Sequence, residues 1–408
     1  EGTALVVQGD RGEIIGRGKA FVHNGRDATE PGLPYRVLLP GDRFDLSSRR
    51  IIARAADGGP LGEEFIDSLF SEFNTPATPG AAVLVAMDGK ILVSKGYGLA
   101  DLEARTPVTP HTNFRLASVT KQFTAMATML LVQDGKLRLD ESLTDIFPEF
   151  PAYGRRVTVR HLLTHTSGLQ DYEDFVPDSQ AIQMLDADVL RQMMSLDSTS
   201  YPPGTRFRYS NSGFAVLAMI VEKRSGARFA DFLKTRIFNR VGMPWTLARE
   251  EGRALVPRRA FGHSRRDGAW RRTDQSSTSA VLGDGGIYSS VSELYRWSSA
   301  LETRELLADS LRAVIFQRGN KSDSTGVDYG FGWYLESRHS LPRTRHTGSS
   351  VGFRNAIIRY PTIGATIIVL TNRSNANAGA LAERIAERLT RVTRDPRWTG
   401  QQSGVTAS

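Results

Sequence analysis

The chain has 408 residues, 40% hydrophobic and 24% charged, so it is long enough for two lobes or for one core with insertions. With no cysteine it has no disulfide, no thiolate metal site and no cysteine nucleophile. A net charge of +8 suits an anionic partner, but the basic residues fall in short scattered runs without interleaved aromatics, and no apolar run nears the ~20 residues of a membrane span.

Nucleic-acid binding and membrane insertion are therefore not expected. No secretory-signal pattern is visible at Glu1, and a mature chain would not show one. In chain order, Ala4-Leu-Val-Val-Gln, Glu13-Ile-Ile-Gly and Ala20-Phe-Val-His read as short strands between glycine-containing turns. They predict a small β-rich N-terminal extension over 1–58 in which no motif carries a function. Gly62–Phe73 has the periodicity of an amphipathic helix. Ala81–Met87 and Lys90–Lys95 are two strands joined at Asp88-Gly89, a strong hairpin signal.

The stretch Phe114-Arg-Leu-Ala-Ser118-Val-Thr-Lys121 opens a helix that stays apolar nearly all round to Leu131 and stops at Gly135. Residues three apart share a helix face, so Ser118 and Lys121 are expected side by side. A desolvated amine can take the serine proton, and free N–H groups at a helix start suit a developing oxyanion. Ser118 could equally serve only as a helix cap. A mostly helical region follows from about 141 to 250. Within it His161 and His165 are four apart, a spacing that can bind a metal, but no third ligand accompanies them. Buried hydrogen-bonding histidines are expected instead, with no metal and no cofactor.

Tyr209-Ser-Asn211 ends a Pro-Pro-Gly loop that enters a helix over 214–223. Gly283-Asp-Gly-Gly286 lacks the spacing of a phosphate loop and leads to a helix over 293–302. Arg345-His346-Thr347-Gly348 precedes strands over 353–360 and 365–370. A closing amphipathic helix spans 378–391, and a loose tail runs from 394.

Three signatures thus stand in order: Ser118-Val-Thr-Lys121, Tyr209-Ser-Asn211 and His346-Thr-Gly348. Together they resemble the class C β-lactamase and DD-peptidase (penicillin-binding-protein-like) serine hydrolases over about residues 60 to 392. Leu162-Leu-Thr-His165-Thr-Ser-Gly168-Leu is similar to a recurrent phrase of that superfamily. Histidine in place of the lysine of Lys-Thr-Gly departs from dedicated class C β-lactamases and looks most like a secreted D-alanyl-D-alanine carboxypeptidase.

The resemblance implies an α+β, β-lactamase/transpeptidase-like fold. An antiparallel sheet would carry the N- and C-terminal helices on one face, with a helical lobe inserted, and a strand over 347–353 would wall the site. The hydrolase domain would span 59–393. It implies Ser118 as nucleophile, with Lys121 and Tyr209 sharing proton transfer. Asn211 would hold Lys121. His346 would keep the field positive, or hydrogen-bond Tyr209 when neutral. The oxyanion hole would be the Ser118 and Ser349 N–H groups. Thr347 and Ser349, and less directly Arg354, would meet a substrate carboxylate. Substrates would be D-amino-acid peptides, β-lactams or esters. A carboxylesterase and a non-catalytic scaffold or sensor are the alternatives, and the location implied is periplasmic or secreted.

Overall fold

The computed structural model describes residues 3–16, 20–23, 35–38, 43–47, 50–53, 61–177, 179–250, 252–253, 255–319 and 326–392. Its contacts divide the chain into two units, 1–69 with 387–408, and 70–386. In the first, strands Thr3–Gln8, Arg11–Gly16, Arg43–Asp45 and Arg50–Ala53 make an antiparallel sheet, and Ala20–His23 pairs with Tyr35–Leu38. The tail expected from 394 lies outside the described residues. The helix read over 62–73 is shorter, Glu63–Leu69, and a separate 3-10 turn covers Ser71–Phe73.

The second unit is built on a six-stranded antiparallel sheet. Its strands are β1 (Ala81–Met87), β2 (Lys90–Tyr97), β3 (Tyr334–Arg338), β4 (Leu341–Ser350), β5 (Phe353–Tyr360) and β6 (Ala365–Thr371). Their order across the sheet is β3-β4-β5-β6-β1-β2, so the first hairpin adds to the far edge of a late meander. Asp88 and Gly89 both have positive φ, the twist a two-residue hairpin turn needs. The wall strand expected over 347–353 instead runs through Leu341–Ser350, and Val351-Gly352 is the turn that reverses it.

Three helices set the core: α1 (Lys121–Gln133), α2 (Asn211–Ser225) and α3 (Val291–Ala300). Every α1 side chain from Lys121 to Leu131 is buried, as its all-round apolar pattern predicts. Phe123 meets the Trp297 ring of α3 at 4.4 Å, and Trp297 Nε1 donates to Gln122 Oε1 at 2.9 Å. Helix α3 also lies against β1 and β6, so α1 is enclosed between the sheet side and the helical lobe. A last helix, α4 (Ala378–Val392), sends Glu383 to Arg343 and Arg338, and Gly379 approaches Thr347. Among the described residues no helix is long and apolar enough to cross a membrane.

Candidate active site

The first signature does not begin inside an α-helix. Residues Ala117–Thr120 form a 3-10 turn, and α1 starts at Lys121. In a 3-10 turn residues three apart eclipse one another. The Lys121 Nζ accordingly lies 3.2 Å from Ser118 Oγ. Ala117 has φ +49°, a strained left-handed conformation that turns the chain sharply just before the nucleophile position.

Several straps hold this turn. Leu116 N–H donates to Ile287 O, and Ile287 N–H donates to Thr120 Oγ1. Asn355 Nδ2 on β5 donates to both Arg115 O and Leu116 O. Strand β4 presses so close that a Cβ on Gly348 would fall 2.1 Å from Leu116 O. Only glycine fits there, which explains the glycine of the third signature.

Lys121 is fully buried. Its Nζ reaches Ser118 Oγ, Asn211 Oδ1 (2.9 Å) and the backbone oxygen of Asp284 (3.0 Å). Burial pulls its pKa down from 10.5 to about 8, against the opposing pull of Asp284, Asp171 and Glu173. A fraction of the amine is therefore neutral near pH 7 and able to accept the Ser118 proton. Tyr209 also borders it, with Nζ 4.8 Å from the ring centroid. The Tyr209 hydroxyl is buried and makes no hydrogen bond of good geometry. Burial raises its pKa well above 10; the nearby Ser118 hydroxyl opposes this, and Asp284, Asp171 and Glu173 add to it. Of the two expected bases, the lysine is the one that loses its proton more readily.

The second signature owes its placement to His165. Its backbone, at φ +56°, and its Nδ1 accept from Arg208 N–H and Ser210 N–H. Its ring packs 4.2 Å from that of Tyr209. Burial holds this imidazole neutral. His161 Nδ1 instead accepts from Thr158 N–H at the start of its own helix. Both histidines are structural, and among the described residues no group of three metal-binding side chains exists. Ser210 caps α2, which puts Asn211 in its first turn, facing Lys121.

His346 corrects both roles expected of it. Its Nδ1 lies 2.7 Å from the Thr347 carbonyl, so Nδ1 carries the proton and Nε2 accepts from Tyr329 Oη at 3.0 Å. Burial and the neighbouring Lys121 push its pKa down to about 3, so it is neutral, and its partner is Tyr329 rather than Tyr209. Thr347 and Ser349 are exposed on β4. Ser349 lines the cleft at Ser118, whereas the Thr347 methyl faces Gly379 of α4 and is not among the cleft's lining residues. Arg354 donates to Ser350 O and Phe353 O, a turn-bracing role, and is likewise not among them.

The cleft is about 190 Å³ and contains side chains that no sequence pattern had marked. Asp284 is buried, accepts from Tyr172 Oη at 2.9 Å and has its pKa raised by burial. Glu173 stands at the mouth and is pushed up to about 7 by partial burial and by Asp284 and Asp171. The neighbouring Asn211 side chain and Lys121 oppose this shift. Arg115 is 4% exposed, donates Nη1 to Ser279 O, and leaves Nε without a partner. The arrangement sets a nucleophile and an acidic rim in one pocket, with a buried titratable amine in contact with the nucleophile.

A family model described as Beta-lactamase matches residues 66–391. A penicillin-binding protein of Bacillus subtilis (strain 168) is 32% identical over 326 residues, 76% of this chain and 71% of its own length. A D-aminopeptidase of Gluconobacter oxydans (strain 621H) is 30% identical over 326 residues, again 76% of this chain but only 59% of its own length. The solved structure of an octameric penicillin-binding protein homologue from Pyrococcus abyssi aligns with a TM-score of 0.70 at 25% identity, over 82% of this chain and 77% of that one. The fold, with its late meander closed by the first hairpin and its helical lobe, is that of the β-lactamase/transpeptidase-like α+β proteins. The chain belongs to the β-lactamase family and is a serine hydrolase of that family.

Proposed function

We propose that the chain hydrolyses D-amino-acid amides and short D-peptides through an acyl-enzyme on Ser118. The observation that carries this reading is the buried Lys121 amine, with a pKa near 8, in contact with Ser118 Oγ. As Oγ bonds the substrate carbonyl carbon, its proton passes to Lys121 Nζ. Asn211 and the Asp284 carbonyl keep that amine in place. The backbone N–H groups of Ser118, at the start of its turn, and of Ser349 on β4 receive the oxyanion. The C–N bond then breaks, and the amine leaves with a proton relayed from Lys121 through the Tyr209 hydroxyl. Water repeats the sequence on the ester, returning Ser118 to its free form. His346 acts indirectly, by anchoring Tyr329 against the ring cluster around Tyr209.

For the substrate, the acidic rim favours a free α-ammonium. Glu173 lines the cleft beside Asn211, and Asp284 and Asp171 add negative field. The relative named D-aminopeptidase agrees with this polarity. A D-alanyl-D-alanine carboxypeptidase is the second reading, because the unpartnered Arg115 Nε supplies a cation for a terminal carboxylate. Rates on D-alanine p-nitroanilide, its N-acetyl derivative, an N-acetylated D-Ala-D-Ala peptide, a p-nitrophenyl ester and nitrocefin separate the possibilities. The free-amine anilide is expected to be the best amide substrate, and Glu173→Gln to raise its KM while leaving the KM of the ester unchanged. Faster turnover of the acetylated D-Ala-D-Ala peptide overturns the ammonium reading in favour of the carboxypeptidase. Hydrolysis confined to the ester leaves only an esterase.

A further inference from the structure

A second cavity, of about 440 Å³, shares no lining residue with the catalytic cleft. Arg359 reaches it from β5 and Thr344 from β4. The two are direct register partners, so their side chains leave the sheet on the same face with Cβ atoms about 5 Å apart. Both are buried, Arg359 at 2% and Thr344 at 7% exposure. Arg359 Nε donates to Ser298 Oγ, Nη2 donates to Ser298 O and to Glu302, and Nη1 has no hydrogen-bond partner. Thr344 Oγ1 has none either.

Two neighbouring buried polar groups left without partners are costly, the charged one more so. Arg312, Arg343 and Arg359 line the cavity together with the carboxylates Glu302, Asp309 and Glu336. Asp309 and Glu336 each serve two arginines, and Arg359 has only Glu302, whose side chain is 55% exposed. Trp333 and Phe316 flank the guanidinium at 5.4 and 5.7 Å, and burial pulls its pKa down to about 10. The rest of the cavity wall is partly apolar, through Leu301, Phe316 and Leu335.

We propose that this cavity is a second ligand site, for a monocarboxylate with a compact apolar body, whose head group is held by Arg359 and Thr344. One carboxylate oxygen accepts from Nη1, the other from the threonine hydroxyl. The apolar body lies on Leu301, Phe316 and Leu335, in a volume ordinary for small-molecule sites. Nη1 and Oγ1 have no open surface in the free chain, so the head group enters by a rotamer change in the wall, where Phe316 and Leu335 are the half-buried apolar members.

The test is calorimetric titration of the full chain with hexanoate, with hexanol and inorganic phosphate as comparison probes. Hexanoate is expected to bind wild type and Ser118→Ala alike, and more tightly than either comparison probe. Thr344→Val keeps the shape and removes one hydrogen bond to a charged group, so hexanoate affinity should fall about tenfold. Leu335→Trp fills the cavity without touching the guanidinium and should abolish binding. No hexanoate binding to wild type overturns the proposal, as does phosphate binding tighter than hexanoate. Unchanged affinity in both variants overturns it too, since the ligand then sits elsewhere. A crystal soaked with hexanoate that shows a single ordered water on Nη1 and Oγ1 also overturns it.

Discussion

Lys121 can take the Ser118 proton only as a neutral amine. With a pKa of about 8, roughly one tenth of it is neutral at pH 7 and nine tenths at pH 9, so acylation should accelerate about tenfold over that interval. Tyr209 does not contribute to this limb, because its environment keeps it protonated throughout. The groups facing Lys121 are Asp284, Asp171 and Glu173, which raise its proton affinity, and the neutral His346 and His165. Asp284→Asn removes one carboxylate while leaving the backbone oxygen that accepts from Nζ and an acceptor for the Tyr172 hydroxyl. The limb should therefore move to lower pH, and the rate at pH 7 should rise as a share of its plateau. Stopped-flow labelling with a fluorophosphonate from pH 6 to 10 measures this without a substrate ammonium to complicate it. A flat profile, or a wild-type limb above pH 10, refutes Lys121 as the base. A limb that stays put in Asp284→Asn refutes the charge coupling.

Gly348→Ala would set a methyl 2.1 Å from Leu116 O, where ordinary contacts begin at 3.4 Å, so β4 must retreat from the nucleophile turn by about 1 Å. Turnover should drop about 100-fold while circular dichroism shows an intact fold; full activity would mean the Ser349 N–H does not serve the oxyanion. Tyr209→Phe deletes a buried hydroxyl that makes no hydrogen bond of good geometry, so thermal stability should hold or rise slightly while turnover falls sharply. A stability loss with normal turnover would make that residue structural. Tyr329→Phe leaves His346 Nε2 without its donor and should cost about 1 kcal/mol of stability, read from urea unfolding.

Much of the scaffold could be read from local pattern. Asp88-Gly89 announced its hairpin, and the all-round apolar run from Phe123 to Leu131 announced a buried helix, because both depend on residues close in sequence. The pairing of Ser118 with Lys121 was legible for the same reason, although the turn is 3-10 rather than α-helical. What stayed hidden depends on distant segments. Tyr329, not Tyr209, meets His346 because β4 and the segment before β3 bring them together. Asp284 sits under Lys121 only because its loop folds against α1, where Thr124 Oγ1 donates to Gly283 O. Glu173 carries no motif at all, and its place beside Asn211 follows from the start of α2 packing on the 171–173 turn, with Tyr172 N–H donating to Ser212 Oγ. Thr347 shows the opposite failure. A residue inside a signature points to α4: the Thr347 methyl lies toward Gly379, and Ser349, two residues on, is the one that lines the cleft.

The central claim is a covalent bond from Ser118 Oγ to the acyl group, formed with the help of Lys121. Intact-protein mass spectrometry after incubation with a fluorophosphonate, followed by peptide mapping, reads it directly. One adduct per chain on the peptide carrying Ser118 is predicted, absent in Ser118→Ala and slowed by orders of magnitude in Lys121→Ala. An adduct on another residue, or undiminished labelling of Ser118→Ala, contradicts it.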